Sequence, residues 1–244
     1  MGIMKINVLF SPLNADELYF TNKTTVVIDV LRATTVITQA IKNKAKEIIP
    51  VASVEFAVKV SGGMFGGQTL LGGERNTKKI EGFALGNSPL EYVKKIVEGK
   101  SIVFYTTNGT KAIVRAKFSE NLLICSFLNI SAVANKIVEL GKDVEILCSG
   151  RNNLFSLEDS VCAGRLTKEI SKLNEDLSLN DSTLAAMSLD DKFGSDLVEM
   201  MKECEHGKIL FENGFEKDIE FCGQLNSTGV IPFFRNGTIK ALNP

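Results

Sequence analysis

Histidine and long apolar runs are scarce in this chain of 244 residues. No stretch approaches the ~20 apolar residues that cross a bilayer, and residues 1–5 lead into a short strand-like run rather than a signal peptide. We therefore expect a cytoplasmic protein with no membrane partner. The single histidine is His206, so serine–histidine chemistry would have to rest on that one residue.

Cysteine and unbalanced charge are scarce as well. The five cysteines are odd in number and form no CxxC pair, which fits reduced thiols in cytoplasm better than a disulfide framework or a zinc site. The formal net charge is −1, with lysine and arginine spread along the chain. This distribution predicts no nucleic-acid partner.

Short apolar runs alternate with longer amphipathic runs over the first two-thirds of the chain. Strands are predicted at residues 5–10, 25–30, 47–51, 101–105, 122–125 and 143–148. The clearest helix is predicted over residues 130–140, which have an apolar face of 3.6-residue period and Gly141 as a C-terminal cap. The alternation indicates an α/β fold with three layers, α/β/α, and a mainly parallel or mixed sheet.

We expect one catalytic domain over residues 1–244. If the fold has two lobes, their boundary is expected near residues 118–150, with the site between them. A helix is predicted to start near Ser88 and Pro89, with serine as its N-cap. Residues 218–221 and 230–234 are predicted as strands.

Three of the predicted strands run into polar turns, two of which contain glycine. The turns follow residues 30, 105 and 148, and the second and third read Thr-Thr-Asn-Gly-Thr and Ser-Gly-Arg-Asn-Asn. In an open α/β sheet the carboxyl ends of the strands form the ligand crevice. Hydroxyls, amides and arginines there suit a small, multiply anionic ligand. The pattern predicts an enzyme that acts on a phosphorylated acid, although helix capping alone would explain any one turn.

Four carboxylates near these turns are candidate metal ligands. Asp29 ends a very apolar strand, where a buried charge needs a partner or a metal. It is either a nucleophile or Mg²⁺ ligand, or half of a structural salt bridge with Arg32. Glu74 could bind a metal or lie in an ordinary surface loop. Glu158 and Asp159 lie in a predicted first helical turn, where the helix dipole favours carboxylates, and one of them could be a second Mg²⁺ ligand.

Arginine is rare, with six residues against 22 lysines. Arg32, Arg75, Arg151 and Arg165 lie in or beside the polar segments, and a bidentate contact to an oxyanion is the expected use of such residues. Common phosphatase signatures are missing. Leu31 stands where an Asp-x-Asp motif needs its second aspartate, and no cysteine has arginine six residues on.

Several segments in this order resemble the Mg²⁺-dependent 2-phosphosulfolactate phosphatases over nearly the whole chain. The resemblance rests on residues 27–35, on Gly-Glu-Arg at 73–75, on residues 81–83 and 86–89, on residues 106–110, on Gly-Arg-Asn at 150–152, on residues 155–159, and on His206-Gly207. The chain departs from the family pattern at Ala84, where an acidic residue is expected between Phe83 and Leu85.

The resemblance implies hydrolysis of the phosphate monoester of 2-phospho-3-sulfolactate to sulfolactate and phosphate, a step of coenzyme M biosynthesis. One Mg²⁺ would lie between carboxylates drawn from Asp29, Glu74, Glu158 and Asp159, and not all four can bind it directly. Asp29, Arg32 and His206 are the candidate catalytic residues. The candidate substrate-binding residues are Arg75, Thr107, Asn108, Gly109, Thr110, Arg151 and Asn152.

Several alternatives stay open. The attacking group is either Asp29, which would give an acyl-phosphate, or a water bound to the metal. His206 is either a general acid or a cap or packing residue at a helix start. Rival functions are a phosphatase for another small phosphorylated acid and a non-catalytic relative that binds small anions. A homodimer is expected for a domain of this size.

Overall fold

The structure is a computed structural model that describes residues 2–64 and 69–242. Its strands are β1 (Met4–Leu9), β2 (Thr24–Ile28), β3 (Glu47–Pro50), β4 (Thr69–Arg75), β5 (Lys78–Lys79), β6 (Ser101–Tyr105), β7 (Asn121–Cys125), β8 (Val144–Cys148), β9 (Leu177–Leu179), β10 (Pro232–Arg235) and β11 (Thr238–Ala241). Its α-helices are α1 (Ala33–Lys42), α2 (Val54–Met64), α3 (Lys94–Val97), α4 (Gly109–Arg115), α5 (Ile130–Leu140), α6 (Leu157–Leu173), α7 (Asp181–Phe193), α8 (Leu197–Glu203), α9 (Glu205–Glu212) and α10 (Glu216–Cys222).

The strands form one mixed sheet in the order β5-β4-β6-β3-β11-β10-β7-β2-β8-β1-β9. Parallel pairing joins β4, β6 and β3 into one block and β7, β2, β8, β1 and β9 into another. The β10–β11 hairpin lies between the blocks and pairs antiparallel with β7 and with β3. Three successive antiparallel pairings mean that the two blocks run in opposite directions. The predicted α/β fold with a mixed sheet is confirmed.

Helices cover both faces of the sheet. Along β2, Val26 and Ile28 belong to one core cluster and Val27 to another, as expected where side chains alternate between faces. The first cluster includes buried side chains of α5 and α6, such as Val133 and Leu166. The second cluster includes buried side chains of α1 and α4. The described residues contain no helix that is both long and apolar enough to cross a membrane.

Of the two helix caps predicted from the sequence, the structure has the one at Gly141 but not the one at Ser88. The helix α5 has the predicted bounds, and Gly141 after it has φ 60°, the left-handed conformation of a C-terminal cap. The helix predicted near Ser88 is only a short 3₁₀ turn at Pro89–Glu91 followed by α3. The Ser88 hydroxyl does not cap a helix; it donates to Asp218 Oδ1 at 2.7 Å.

Two regions near the site differ from the sequence prediction. Residues 218–221, predicted as a strand, lie in α10, where Ile219 and Cys222 are buried three residues apart on one helical face. The glycine-rich stretch before residue 87, for which no strand was predicted, contains β4. Gly73 has φ +139°, and a Cβ there would lie 1.8 Å from the Tyr105 carbonyl oxygen. Only glycine permits this approach, and it brings β4 beside β6.

Candidate active site

A cavity of about 230 Å³ lies where elements of both parallel blocks end. It is smaller than the roughly 300–1,000 Å³ pockets of drug-sized ligands, and most of the residues that line it are polar. The residues that line it are Asp29, Leu31, Arg32, Glu74, Asn76, Thr77, Asn87, Thr106, Thr107, Asn108, Arg151, Asn152, His206, Ile209 and Asn213. The cavity therefore brings together the turns after β2, β4, β6 and β8 with the start of α9.

Asp29 follows β2 and stands at the entry to α1. Its Oδ1 accepts a hydrogen bond from the Ala33 N–H at 3.0 Å, and its backbone N–H donates to the Thr34 hydroxyl at 3.0 Å. Its Oδ2 lies beside Gly109, where a Cβ would come within 2.5 Å of it. Burial raises the pKa of the Asp29 carboxyl, although the Ala33 hydrogen bond and the charge of His206 oppose the rise. The carboxylate is thus held at the cavity wall, partly stripped of water.

Glu74 links the end of β4 to the turn after β6. Its Oε1 accepts from the Thr107 N–H at 2.7 Å, and its Oε2 accepts from the Thr77 N–H at 2.8 Å. The turn itself is closed by Thr106 and Thr110, because the N–H of each donates to the hydroxyl of the other at 3.0 Å. Thr110 is therefore buried in the support of the turn, while Thr107 and Asn108 line the cavity.

Arg32 is almost completely buried and does not pair with Asp29. Its Nη1 donates to Asp218 Oδ2 at 2.6 Å and its Nη2 to the Thr77 carbonyl at 3.0 Å. The guanidinium carbon lies 4.1 Å from the centroid of the Phe215 ring, a cation–π distance. Arg32 thus joins the turn after β2 to α10 and to the β4–β5 turn, and it presents a fixed positive charge to the cavity.

Asp159 lies behind the cavity wall at the start of α6. Its Oδ1 accepts from the Val30 N–H at 2.8 Å, and its Oδ2 accepts from the Ser149 hydroxyl at 3.1 Å and the Gly150 N–H at 3.2 Å. Burial, with the nearby charge of Asp29, raises the pKa of Asp159 well above its ordinary value. Both oxygens therefore serve to hold the turns after β2 and β8 together.

Glu158 pairs with the single histidine. Its Oε1 lies 3.4 Å from His206 Nδ1, and the side chains are 3% and 17% exposed. Burial alone would raise the pKa of Glu158, but the hydrogen bond and charge of His206 outweigh it and lower the pKa. The contact leaves Nε2 as the His206 nitrogen that Glu158 does not engage. A carboxylate that orients one ring nitrogen is the usual support of a histidine acid or base.

Arg151 and Asn152 close the cavity from the turn after β8. Arg151 forms an ion pair with Glu205, the residue before His206, and Asn152 donates its N–H to Asn108 Oδ1 at 3.1 Å. Asn152 has φ 53°, a conformation that asparagine tolerates better than most residues. These contacts join the turns that follow β8 and β6, one from each parallel block.

Some predicted residues lie outside the cavity lining. Arg75 is exposed at the end of β4, and Thr110 is buried behind the lining. Gly109 contacts Asp29 without lining the cavity itself. Ala84, where the family resemblance leads one to expect an acidic residue, is exposed and away from the lining.

The sequence did not point to Asp218, which anchors Arg32, or to Thr77. Asp218 is separated from Arg32 by 186 residues, so no local pattern could have paired them.

The carboxylates suit a hard divalent cation. Asp29, Glu74, Glu158 and Asp159 are all buried. Glu158 lies against His206 and the buried Arg32 is paired with Asp218, so neither offsets the charge of Asp29 and Glu74. An excess of buried negative charge needs a counter-ion, and Mg²⁺ prefers oxygen ligands and needs only one or two protein carboxylates. Asp29 and Glu74 line the cavity, whereas Asp159 lies behind its wall, so they fit this use better than Asp159. Within residues 2–64 and 69–242, no three His, Cys, Asp or Glu side chains cluster as a complete metal cage.

Comparisons with known proteins agree on one family. The family model described as 2-phosphosulpholactate phosphatase matches residues 11–237. A protein of Caldanaerobacter subterraneus subsp. tengcongensis named "Probable 2-phosphosulfolactate phosphatase" is 42% identical over 218 residues, 89% of this chain and 90% of its own length. A protein of Clostridium acetobutylicum with the same name is 40% identical over 97% of this chain and all of its own length. The name describes a phosphoric monoester hydrolase.

Proposed function

The chain belongs to the 2-phosphosulfolactate phosphatase family, and we propose that it hydrolyses 2-phospho-3-sulfolactate to 3-sulfolactate and phosphate with the help of Mg²⁺. This reaction would serve coenzyme M biosynthesis in the cytoplasm. The observation that carries the proposal is the cavity, which sets the carboxylate of Asp29 beside the fixed cation Arg32 and the polar turn at Thr107. The homodimer stays a prediction.

The polar groups of the cavity suit a substrate with several anionic groups. Arg32 cannot turn away, because Asp218, Thr77 and Phe215 hold it, and Arg151 adds a second cation at the opposite turn. Fixed donors of this kind stabilise the charge of a transferring phosphoryl group without reorganising. They also orient the ester for in-line attack.

Asp29 and Glu74 are the residues that would hold Mg²⁺, and a bound Mg²⁺ would offset negative charge on the phosphoryl oxygens. The phosphorus–oxygen ester bond breaks, and the leaving alkoxide of sulfolactate needs a proton. His206 can donate that proton from Nε2 while Glu158 stabilises its charged form. The group that attacks phosphorus is either the Asp29 carboxylate, whose acyl-phosphate is then hydrolysed, or a water molecule activated in the cavity.

Replacement of Asp29 by asparagine tests the proposal. Asparagine keeps the oxygen that accepts from Ala33 but removes the charge, so we expect turnover to fall by about 10³-fold or more while phosphate and 3-sulfolactate still bind. Asp191→Asn, an exposed change on α7, is the matched control and should leave kcat unchanged. Turnover within tenfold of wild type in Asp29→Asn would contradict the role of Asp29. A protein that only binds anions would show no turnover in any variant and altered affinity alone.

The two modes of attack can be separated by trapping. A covalent aspartyl-phosphate should be captured by hydroxylamine or borohydride during turnover and should map to Asp29. Active enzyme without any such adduct would leave water as the attacking group.

A further inference from the structure

A second cavity, of about 320 Å³, adjoins the active-site cavity. Thr107, Asn108 and Asn152 line both. The hydrogen bond of 3.1 Å from the Asn152 N–H to Asn108 Oδ1 lies in this shared wall. A ligand in the first cavity therefore needs to reach only past this asparagine pair to enter the second.

The second cavity carries positive charge without a compensating carboxylate. Its lining includes Lys111 and Arg115 but no aspartate or glutamate, whereas the first cavity has Asp29 and Glu74. Arg115 Nη1 donates to the carbonyls of Pro12 at 2.7 Å and Ala15 at 3.2 Å. Neither cation lies within 4.0 Å of a carboxylate oxygen anywhere in the part of the chain that the structure describes. Such a cavity favours an oxyanion.

The shared wall also holds an unused hydrogen-bonding group. The Thr107 hydroxyl oxygen is buried and has no hydrogen-bond partner among the described residues. A buried hydroxyl without a partner costs free energy, and an anionic oxygen at the junction of the two cavities would accept a hydrogen bond from it. The position of the Thr107 hydroxyl in the shared wall therefore points to a ligand that extends from one cavity into the other.

We propose that the second cavity binds the sulfonate of the substrate and that Lys111 selects sulfonated over non-sulfonated phosphate esters. This inference rests on the proposed function. In 2-phospho-3-sulfolactate the carboxylate is on the carbon that carries the phosphate ester, while the sulfonate is on the next carbon and reaches further from phosphorus. With the phosphoryl group beside Asp29 and Arg32, the sulfonate is the group that extends past Asn108 towards Lys111 and Arg115.

The test compares kcat/KM for 2-phosphosulfolactate and for 2-phospholactate, which lacks the sulfonate. Lys111→Ala should lower kcat/KM for the sulfonated ester about tenfold, at the low end for a hydrogen bond to a charged group because Lys111 is exposed. It should change kcat/KM for 2-phospholactate less than twofold. Lys192→Ala, which removes an exposed lysine from α7, should leave both values unchanged, and Lys111→Arg should keep most of the preference.

Equal losses on both esters would assign Lys111 to the phosphoryl group or to the fold and overturn the proposal, as would no loss on either. Failure of the proposed function is a separate outcome, seen as no release of phosphate from any ester by the wild-type protein. In that case calorimetric titration with 3-sulfolactate decides. Binding about tenfold weaker in Lys111→Ala than in wild type supports the subsite, and equal dissociation constants overturn it.

Discussion

The ion pair between Arg32 and Asp218 should be one of the places in the molecule where a substitution lowers the free energy of unfolding most. The two side chains are 2% and 3% exposed, and their closest atoms are 2.6 Å apart. Asp218 also accepts from the Ser88 hydroxyl. In Asp218→Ala the guanidinium stays buried against Phe215 with only the Thr77 carbonyl as a partner. Removal of one member of a buried pair costs about 3–5 kcal/mol.

Urea unfolding followed by circular dichroism measures that cost. The loss is a large part of the roughly 5–15 kcal/mol that stabilises a typical domain, so the variant should fold at 25 °C with a much lower midpoint. Because Arg32 loses its anchor, kcat/KM should fall at least tenfold. Glu98→Gln, which breaks the exposed pair with Lys94, should cost only about 0.3–0.5 kcal/mol.

A double substitution distinguishes the effect of an unpaired buried charge on stability from the effect of lost packing. Arg32→Met combined with Asp218→Leu removes both charges, so it should recover most of the stability that Asp218→Ala loses, without recovering activity. If Asp218→Ala lowers the free energy of unfolding by less than about 1 kcal/mol, the guanidinium is not held as the structure shows, and the reasoning is refuted.

Three further predictions concern the support of the site and its chemistry. Burial alone would raise the pKa of Glu47, but the Ser101 hydroxyl and Lys240 on β11 outweigh it and lower the pKa. Glu47→Gln should therefore lower the free energy of unfolding by about 1 kcal/mol at pH 7. This difference from wild type should shrink as pH falls below 4.5 and through the lowered pKa of Glu47. A difference in unfolding free energy that does not change with pH would contradict this. Gly109→Ala places a Cβ 2.5 Å from Asp29 Oδ2, so steady-state kinetics should show at least a tenfold loss of kcat. Gly62→Ala, where no atom of the described residues lies within 4 Å of the added Cβ, should leave kcat unchanged. His206→Gln should slow hydrolysis of alkyl phosphate esters about 10²–10⁴-fold but p-nitrophenyl phosphate much less, because p-nitrophenolate leaves without a proton; equal losses would remove His206 as the acid.

The parts of the fold that the sequence could predict are those set by local patterns. The continuous apolar run of β2 and the apolar face of α5 are properties of neighbouring residues, and both elements lie close to where the sequence predicts them. The strand β4 could not be found this way, because its two glycines lower strand propensity. Contacts with distant residues explain both glycines: Gly73 packs against the Tyr105 backbone, and a Cβ at Gly72 would lie 2.5 Å from the Tyr92 hydroxyl oxygen.

The same division holds for the candidate site. Polar turns at the ends of parallel strands of one block gather by the geometry of the sheet, so Asp29 and Arg151 could be expected near each other. Thr107 follows β6 in the block that runs the other way, so this rule alone does not place it beside them. Which arginine enters the cavity depends on distant partners. Arg32 is fixed there by Asp218 from the C-terminal helices, while Arg75, equally prominent in the sequence, is exposed. The opposite directions of the two parallel blocks follow from the β10–β11 hairpin, which pairs with residues far away in the sequence.

The most direct test of the account measures phosphate release with and without Mg²⁺. The substrates are 2-phosphosulfolactate, 2-phospholactate, phosphoglycerate and p-nitrophenyl phosphate at matched concentrations. We expect release that depends on Mg²⁺ and is fastest with 2-phosphosulfolactate. Equal rates on all four esters would contradict the sulfolactate assignment, and no release from any of them by the folded protein would contradict hydrolysis itself.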